Sequence, residues 1–187
     1  FIHARAAAQS GEASEEIEEI VITSTRNRRG FEQQPTRVEV LGGEEINEKA
    51  NMKPGDIRMM LNESTGIHVQ QTSATSFNSN IRIQGLNGKY TQLLRDGLPM
   101  YGGFSSGLGL LQIAPLDLQQ VEVIKGANST LYGGGAIAGL VNLVTKKPGI
   151  EPETSLLLNA TSAGGLDASG FHTSTQGSLG KRIFASY

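Results

Sequence analysis

Gly103-Phe104-Ser105-Ser106-Gly107 satisfies G-x-S-x-G, and Asp117 and His172 follow it in the order Ser, Asp, His, the residue types of a serine hydrolase. That chemistry needs the serine on a sharp turn between a buried strand and a helix. Here Pro99, Gly102 and Gly103 precede it and Gly107 and Gly109 follow closely, so neither flanking element is expected and acyl transfer is set aside. Gly133-x-Gly135-x-x-Ala138 imitates a dinucleotide fingerprint, but the residues after it read as strand, where a pyrophosphate would need a helix N-terminus. Gly88-Lys89 lacks the following Ser or Thr of a phosphate-binding loop. His3, His68 and His172 have no metal-ligand spacing, and the absence of cysteine removes thiolate nucleophiles, thiolate ligands and disulfides together. No catalytic residue, metal site or cofactor is expected.

The elements that would have carried such groups are informative in their own right. Val121, Val123 and Lys125 alternate with Glu122 and Ile124, the period of two of a strand with one buried face. Leu140, Val141, Leu143 and Val144 form a second run, interrupted by Asn142 and ended by Lys146-Lys147-Pro148, where proline cannot donate to a ladder. Gly126, Gly133, Gly134, Gly135 and Gly139 lie between the runs, a density that permits positive φ and close approach of other backbone. The segment is therefore expected to thread through tightly packed surroundings.

Residues 121–146 closely resemble the signature of the plug domain of TonB-dependent outer-membrane receptors. Glu122, Gly126, Ser129, Leu131, Tyr132, Gly133, Ala136, Gly139, Asn142, Thr145 and Lys146 fill its fixed positions. Upstream, Ile81-Arg82-Ile83-Gln84-Gly85-Leu86 and Asp96-Gly97-Leu98-Pro99 match the hydrophobic-Arg-Gly element and the Asp-Gly turn that accompany it. The resemblance runs from about residue 18 to about residue 150.

Composition is consistent with that class. The 187 residues suffice for one domain with a core, and a net charge of −2 offers no basic footprint for nucleic acid. No apolar run approaches the roughly 18 residues of a membrane-spanning helix, so any crossing must be made by strands. Residues 1–8, which carry Ala6 and Ala8 at A-x-A spacing, read as the remnant of a secretory signal peptide, the alternative being an adventitious alanine-rich tail. Residues 9–30 form a leader, acidic and too poor in apolar groups over its first part to hold itself folded. Within it Ile20 to Thr25 is a short β-prone run closed by Arg26, Arg28 and Arg29, an edge strand if it belongs to the following domain.

Residues 31–150 interleave helices and strands. Val38-Glu39-Val40-Leu41 reads as a strand, followed by a helix from about Glu44 to Ala50. A second helix should start near Pro54, place Ile57, Met60 and Leu61 on one face, and end by Gly66. Ile67-His68-Val69 is extended, Gln70 to Asn80 has loop composition, and Ile81-Arg82-Ile83 and Gln92-Leu93-Leu94 read as strands around a short connection. In residues 151–187 Leu156, Leu158 and Ala160 alternate with Leu157, Asn159 and Thr161. Phe171, Thr173, Thr175 and Leu179 alternate with His172, Ser174, Gln176 and Ser178, with a turn expected at Gly180-Lys181. This dyad pattern is that of transmembrane β-strands, with a soluble hairpin as the alternative. So few strands cannot close a barrel, so the remainder is expected to lie beyond this segment. The expected class is α+β: a small mixed-sheet plug domain with flanking helices, followed by the first antiparallel strands of a truncated transmembrane β-barrel.

What the resemblance implies is a receptor in the bacterial cell outer membrane, surrounded by lipid, that takes up a scarce nutrient such as an iron-siderophore, haem or cobalamin. The partner TonB supplies the energy from the inner membrane. Glu19, Ile20, Val21, Ile22, Thr23, Ser24 and Thr25 would be the TonB box, adding as a strand to a sheet edge of TonB. Outward loops 70–80 and 98–107 would touch ligand through Gln71, Thr72, Asn78 and Asn80 and through Met100, Tyr101 and Phe104, although the aromatics could equally pack on the wall. Arg82, Gln84 and Lys125 are the candidate plug-to-barrel contacts. Gln84 and Lys125 stand where many members carry arginines that pair with barrel glutamates, so that ionic contact is expected to be altered. The alternative is a soluble binding module reusing the plug without a barrel.

Overall fold

In the computed structural model of the protein the described residues are 21–22, 29–30, 37–52, 57–71, 79–100, 106–107, 113–127, 129–160, 162 and 164–187. Along the chain run β1 (Val21–Ile22), β2 (Arg29–Gly30), β3 (Arg37–Leu41), α1 (Gly43–Met52), α2 (Arg58–Glu63), β4 (Ile67–Gln71) and β5 (Ser79–Ile83). A 3-10 turn at Gly88–Tyr90 leads into β6 (Thr91–Arg95), β7 (Leu98–Pro99), β8 (Ser106–Gly107), β9 (Leu118–Lys125) and α3 (Ser129–Tyr132). A further 3-10 turn at Gly134–Ala136 precedes β10 (Gly139–Thr145), and β11 (Glu153–Ala160), β12 (Leu166–Gln176) and β13 (Leu179–Ser186) complete the order.

The two apolar runs of the glycine-laced segment, β9 and β10, pair antiparallel inside a five-stranded sheet of order β3-β9-β10-β6-β7. β10 is parallel to β6 on its other side, so the chain must cross over between them, and all seven of its residues are buried. The alternation in Val121 to Lys125 predicts one buried face, and the structure corrects this: every residue from Val121 to Lys125 is buried. An interior strand has apolar neighbours on both sides. Val121, Val123, Val141, Leu143 and Leu93 pack with Leu41, Ile46, Met60, Ile81 and Ile83 on one face. Ile124, Leu140 and Leu94 pack with Val38 and Tyr132 on the other. Full burial of each such aliphatic side chain contributes about 1.5–3 kcal/mol.

The second helix follows the predicted face, since Ile57, Met60 and Leu61 are at most 2% exposed. Pro54 lies outside the described residues. Lys49 of α1 bridges Glu45 at 2.6 Å and Glu63 of α2 at 2.8 Å, tying the helices together. β5 and β6 form where expected but do not pair with each other. β6 joins the main sheet, while β5 lies between β4 and β8 in a separate antiparallel sheet.

β11, β12 and β13 form an antiparallel three-stranded meander. Two details differ from the dyad reading. The last turn is Gly177-Ser178, where Gly177 takes φ of +62°, and Gly180 and Lys181 lie within β13 opposite Thr175 and Ser174. Phe171 does not share a face with the exposed leucines: it is 2% exposed, on the inward side with Ser169 and Thr173. The outward side carries Leu156, Leu158, Leu166 and Ile183, each at least 60% exposed.

Gly139 is the glycine on which the main sheet depends most directly. Its φ is +147°, and a Cβ there would sit 2.3 Å from the Ile124 carbonyl oxygen. Gly139→Ala in the full-length protein should destabilise the plug by about 2 kcal/mol or more, read as a lower denaturant midpoint. Gly134→Ala, where a Cβ meets nothing within 4 Å, should change stability by less than about 0.5 kcal/mol. Equal effects at the two positions would refute the close-approach argument.

Candidate functional site

β5 brings the two expected ligand segments to one edge. Gln71 pairs with Ser79 and Gln70 with Asn80 across β4 and β5, and Ser79 and Asn80 then pair with Gly107 and Ser106 of β8. Gln71 and Asn80 are therefore strand residues where the loop composition of 70–80 suggested otherwise, because the β4–β5 ladder runs on to the Gln71–Ser79 pair. Gln71 is exposed and Asn80 half-buried. Ser79 is 1% exposed and takes a hydrogen bond from Arg58 Nη1 at 3.1 Å. Met100 is half-buried against the main core, its N–H donating to the Leu93 carbonyl at 2.9 Å. Thr72, Asn78, Tyr101 and Phe104 lie outside the described residues.

Of the leader run Glu19 to Thr25, Val21 and Ile22 pair antiparallel with Gly30 and Arg29. Glu19, Ile20, Thr23, Ser24 and Thr25 lie outside the described residues. Lys125 has its ionic partner inside the sheet: its ammonium pairs with Glu39 of β3, and its side chain is 5% exposed. Gln84 is exposed in a left-handed conformation, φ +53°, its N–H bonded to the Gly66 carbonyl at 2.9 Å. Arg82 Nη1 reaches the Gly85 carbonyl at 3.4 Å, while its Nε is buried with no hydrogen-bond partner. Of the hydrolase constellation, Ser105 lies outside the described residues, Asp117 pairs with Arg95, and His172 Nδ1 shares a 2.8 Å hydrogen bond with Thr154 Oγ1.

The densest polar cluster joins residues that the signature names only singly, Asp96, Gly97, Glu122, Asn142 and Thr145. Asp96 and Gly97, with φ of +51° and +78°, make the two-residue turn between β6 and β7. Beyond the last β6–β10 pair, side chains continue the ladder. The Asp96 N–H donates to the Leu143 carbonyl at 3.0 Å, and the Asp96 carboxylate accepts from the Thr145 N–H at 2.9 Å and from Thr145 Oγ1 at 2.8 Å. Asn142 accepts from the Gly97 N–H at 2.9 Å and donates to Glu122 at 3.0 Å, with Asn142 and Glu122 both fully buried. The break that Asn142 makes in an apolar run was the available signal.

Beside this turn lies a polar seam between the main sheet and the meander. Arg95 pairs with Asp117, whose side chain is 2% exposed. Asp117 accepts a bond from the Lys146 N–H at its backbone carbonyl, 2.9 Å away. From β13, Arg182 donates to Thr145 Oγ1 and, at 3.3 Å, to the Lys146 carbonyl. Lys146 bridges Glu153 at 2.6 Å and sits 5.3 Å over the Phe171 ring. Nothing in the spacing of these residues forecasts that Asp117 pairs with Arg95 or that Arg182 reaches Thr145. Burial pushes the Asp117 carboxyl above the usual carboxylate range, against the opposing pull of Arg95 and Arg182. One of its oxygens, Oδ1, is buried without a partner, an arrangement that costs about 1–3 kcal/mol.

Asn142→Leu should lower stability by about 2–4 kcal/mol, because it strips partners from a buried carboxylate and a buried N–H, whereas Glu122→Gln keeps an acceptor for Asn142 and should cost less. Denaturant midpoints of the two variants decide the order. For Asp117 the folded state holds its proton more tightly than the unfolded chain, whose value is about 3.9. Its contribution is therefore absent well above the folded pKa and grows as pH falls through that value. The stability of the wild type relative to Asp117→Asn should rise as pH is lowered from neutral toward 4; a pH-independent difference would contradict the burial argument.

The family description "TonB-dependent Receptor Plug Domain" matches residues 31–140. The chain is 36% identical over 107 residues to the ferric aerobactin receptor of Klebsiella pneumoniae, covering 57% of this chain and 14% of that protein. It is 29% identical over 168 residues to the rhizobactin receptor of Rhizobium meliloti, covering 86% of this chain and 21% of that protein. The chain thus spans a small part of the curated relatives it matches. In fold it is similar to a ferric enterobactin receptor of Pseudomonas aeruginosa, with a TM-score of 0.64 and 21% identity over 82% of this chain and 24% of that one. With a family match that covers most of the chain and the glycine-laced antiparallel pair at the centre of its sheet, the protein belongs to the TonB-dependent receptors of the Gram-negative outer membrane.

Proposed function

We propose that the chain is the plug and the first wall strands of a receptor, not an enzyme, that imports a ferric siderophore with energy supplied through TonB. The observation that carries the reading is the plug match over residues 31–140, joined to relatives named as ferric aerobactin and rhizobactin receptors. Two features support its finer parts. The β4–β5–β8 edge gathers neutral amide and hydroxyl residues from both segments that would face the ligand, groups suited to hydrogen-bonding a chelate without fixing one charge. The outward leucines and Ile183 of the meander form an apolar face of the kind that lipid covers, which weighs against a soluble module.

In this reading the plug gates the barrel. Occupancy outside is relayed to Glu19 to Thr25, and a coupling of about 1–3 kcal/mol suffices to expose that strand several-fold more often. The box acts through backbone pairing, so a proline within it removes a donor from the augmented sheet.

Uptake of radio-iron ferric aerobactin by cells lacking their own receptor and expressing the full-length protein tests the proposal. Ile22→Pro should abolish energised uptake while cells still bind the chelate, and uptake that survives loss of TonB would overturn the mechanism. Gln71→Ala combined with Asn80→Ala should weaken binding by about tenfold, corresponding to about 1.4 kcal/mol; unchanged affinity would move the ligand contacts elsewhere.

A further inference from the structure

Arg182 stands at the junction between the main sheet and the meander, and its surroundings contain one acceptor more than the structure uses. Its guanidinium holds Thr145 Oγ1 and the Lys146 carbonyl. The Thr145 hydroxyl donates its own proton to Asp96, which leaves its lone pairs for Arg182. Lys146 is bonded on both sides, its carbonyl to Arg182 and its N–H to the Asp117 carbonyl. Lys146 thereby links Arg182 to the backbone of Asp117. On Asp117, Oδ2 is taken by Arg95 while Oδ1 is buried and unpartnered. β13 comes close at this point because Gly180 has no Cβ, which would lie 3.0 Å from Pro148 Cγ.

We propose that Arg182 is a positioning residue with two alternative acceptors, Thr145 Oγ1 in the state seen here and Asp117 Oδ1 in a second, through which the plug sheet moves against the wall strands. The proposal rests on reading β11–β13 as that wall. A rigid arginine fork is suited to such an exchange, because it presents several donors at once and keeps its charge throughout. The pull of Arg182 on the Asp117 carboxyl is in keeping with this proximity.

The decisive variant is Thr145→Val in the full-length protein, which removes the first acceptor at nearly constant volume. Its crystal structure should show the Arg182 guanidinium on Asp117 Oδ1. A guanidinium turned to solvent, or a water seated on Oδ1 in its place, would overturn the proposal. Independently, Arg182→Gln should lower energised uptake of ferric aerobactin by about fivefold with chelate affinity kept within about twofold, and Arg182→Lys should restore part of the rate. Wild-type uptake by Arg182→Gln would also overturn it. If the wild-type receptor neither binds nor imports ferric aerobactin, the ligand reading fails while the Thr145→Val structure still decides the role of Arg182.

Discussion

The buried end of β10 is held by side chains, and the rest of the fold hangs from it. A strand flanked by β9 and β6 has both ladders satisfied until β6 turns away at Asp96-Gly97. There the backbone groups of Leu143 and Thr145 would lose their partners inside the protein, a loss that buried amides do not tolerate cheaply. The Asp96 turn supplies them, and Asn142 ties the same turn to Glu122 on β9. Three strands from distant parts of the chain are thereby fixed in one register, since a slip of one residue would carry these polar groups to the opposite face.

The same turn borders the link by which Arg182 of the meander grips the end of β10. Thr145 serves Asp96 on one side and Arg182 on the other, so the internal clamp of the plug and its attachment to the proposed wall share a hydroxyl. Such sharing makes the two contacts interdependent, because polar groups in one network respond together. A receptor whose stopper must be secure at rest and movable under load has reason to place exchangeable polar contacts at this junction and irreplaceable apolar ones within the sheet.

Legibility in the sequence followed the range of each interaction. The face formed by Ile57, Met60 and Leu61 and the β-strands around the glycine-rich turn depend on neighbours within a few residues and could be read from spacing, while the Asp96-Gly97 turn came with the family signature. Phe171 could not be assigned a side, because alternation in β12 gives two faces without saying which meets the plug. Lys125 illustrates another limit: the pattern located it on a strand, but only the fold brings β3 beside β9 with Glu39 in reach. Gln71 and Asn80 looked like loop residues, yet Gln71 pairs with Ser79 across β4 and β5 and Asn80 also pairs with Ser106 of β8.

By itself the amino-acid order determined the plug family, the alternation of the strands, the glycines that permit the central turn, and the absence of any apolar stretch for a spanning helix. These are properties of local sterics and short-range periodicity. Only the tertiary structure decided that β9 is buried on both faces, that Asp117 meets Arg95, and that Arg182 reaches Thr145 across 37 residues of chain. Such meetings are set by strand order and register, which arise from how the sheets pack and leave no trace in the spacing of the residues they join.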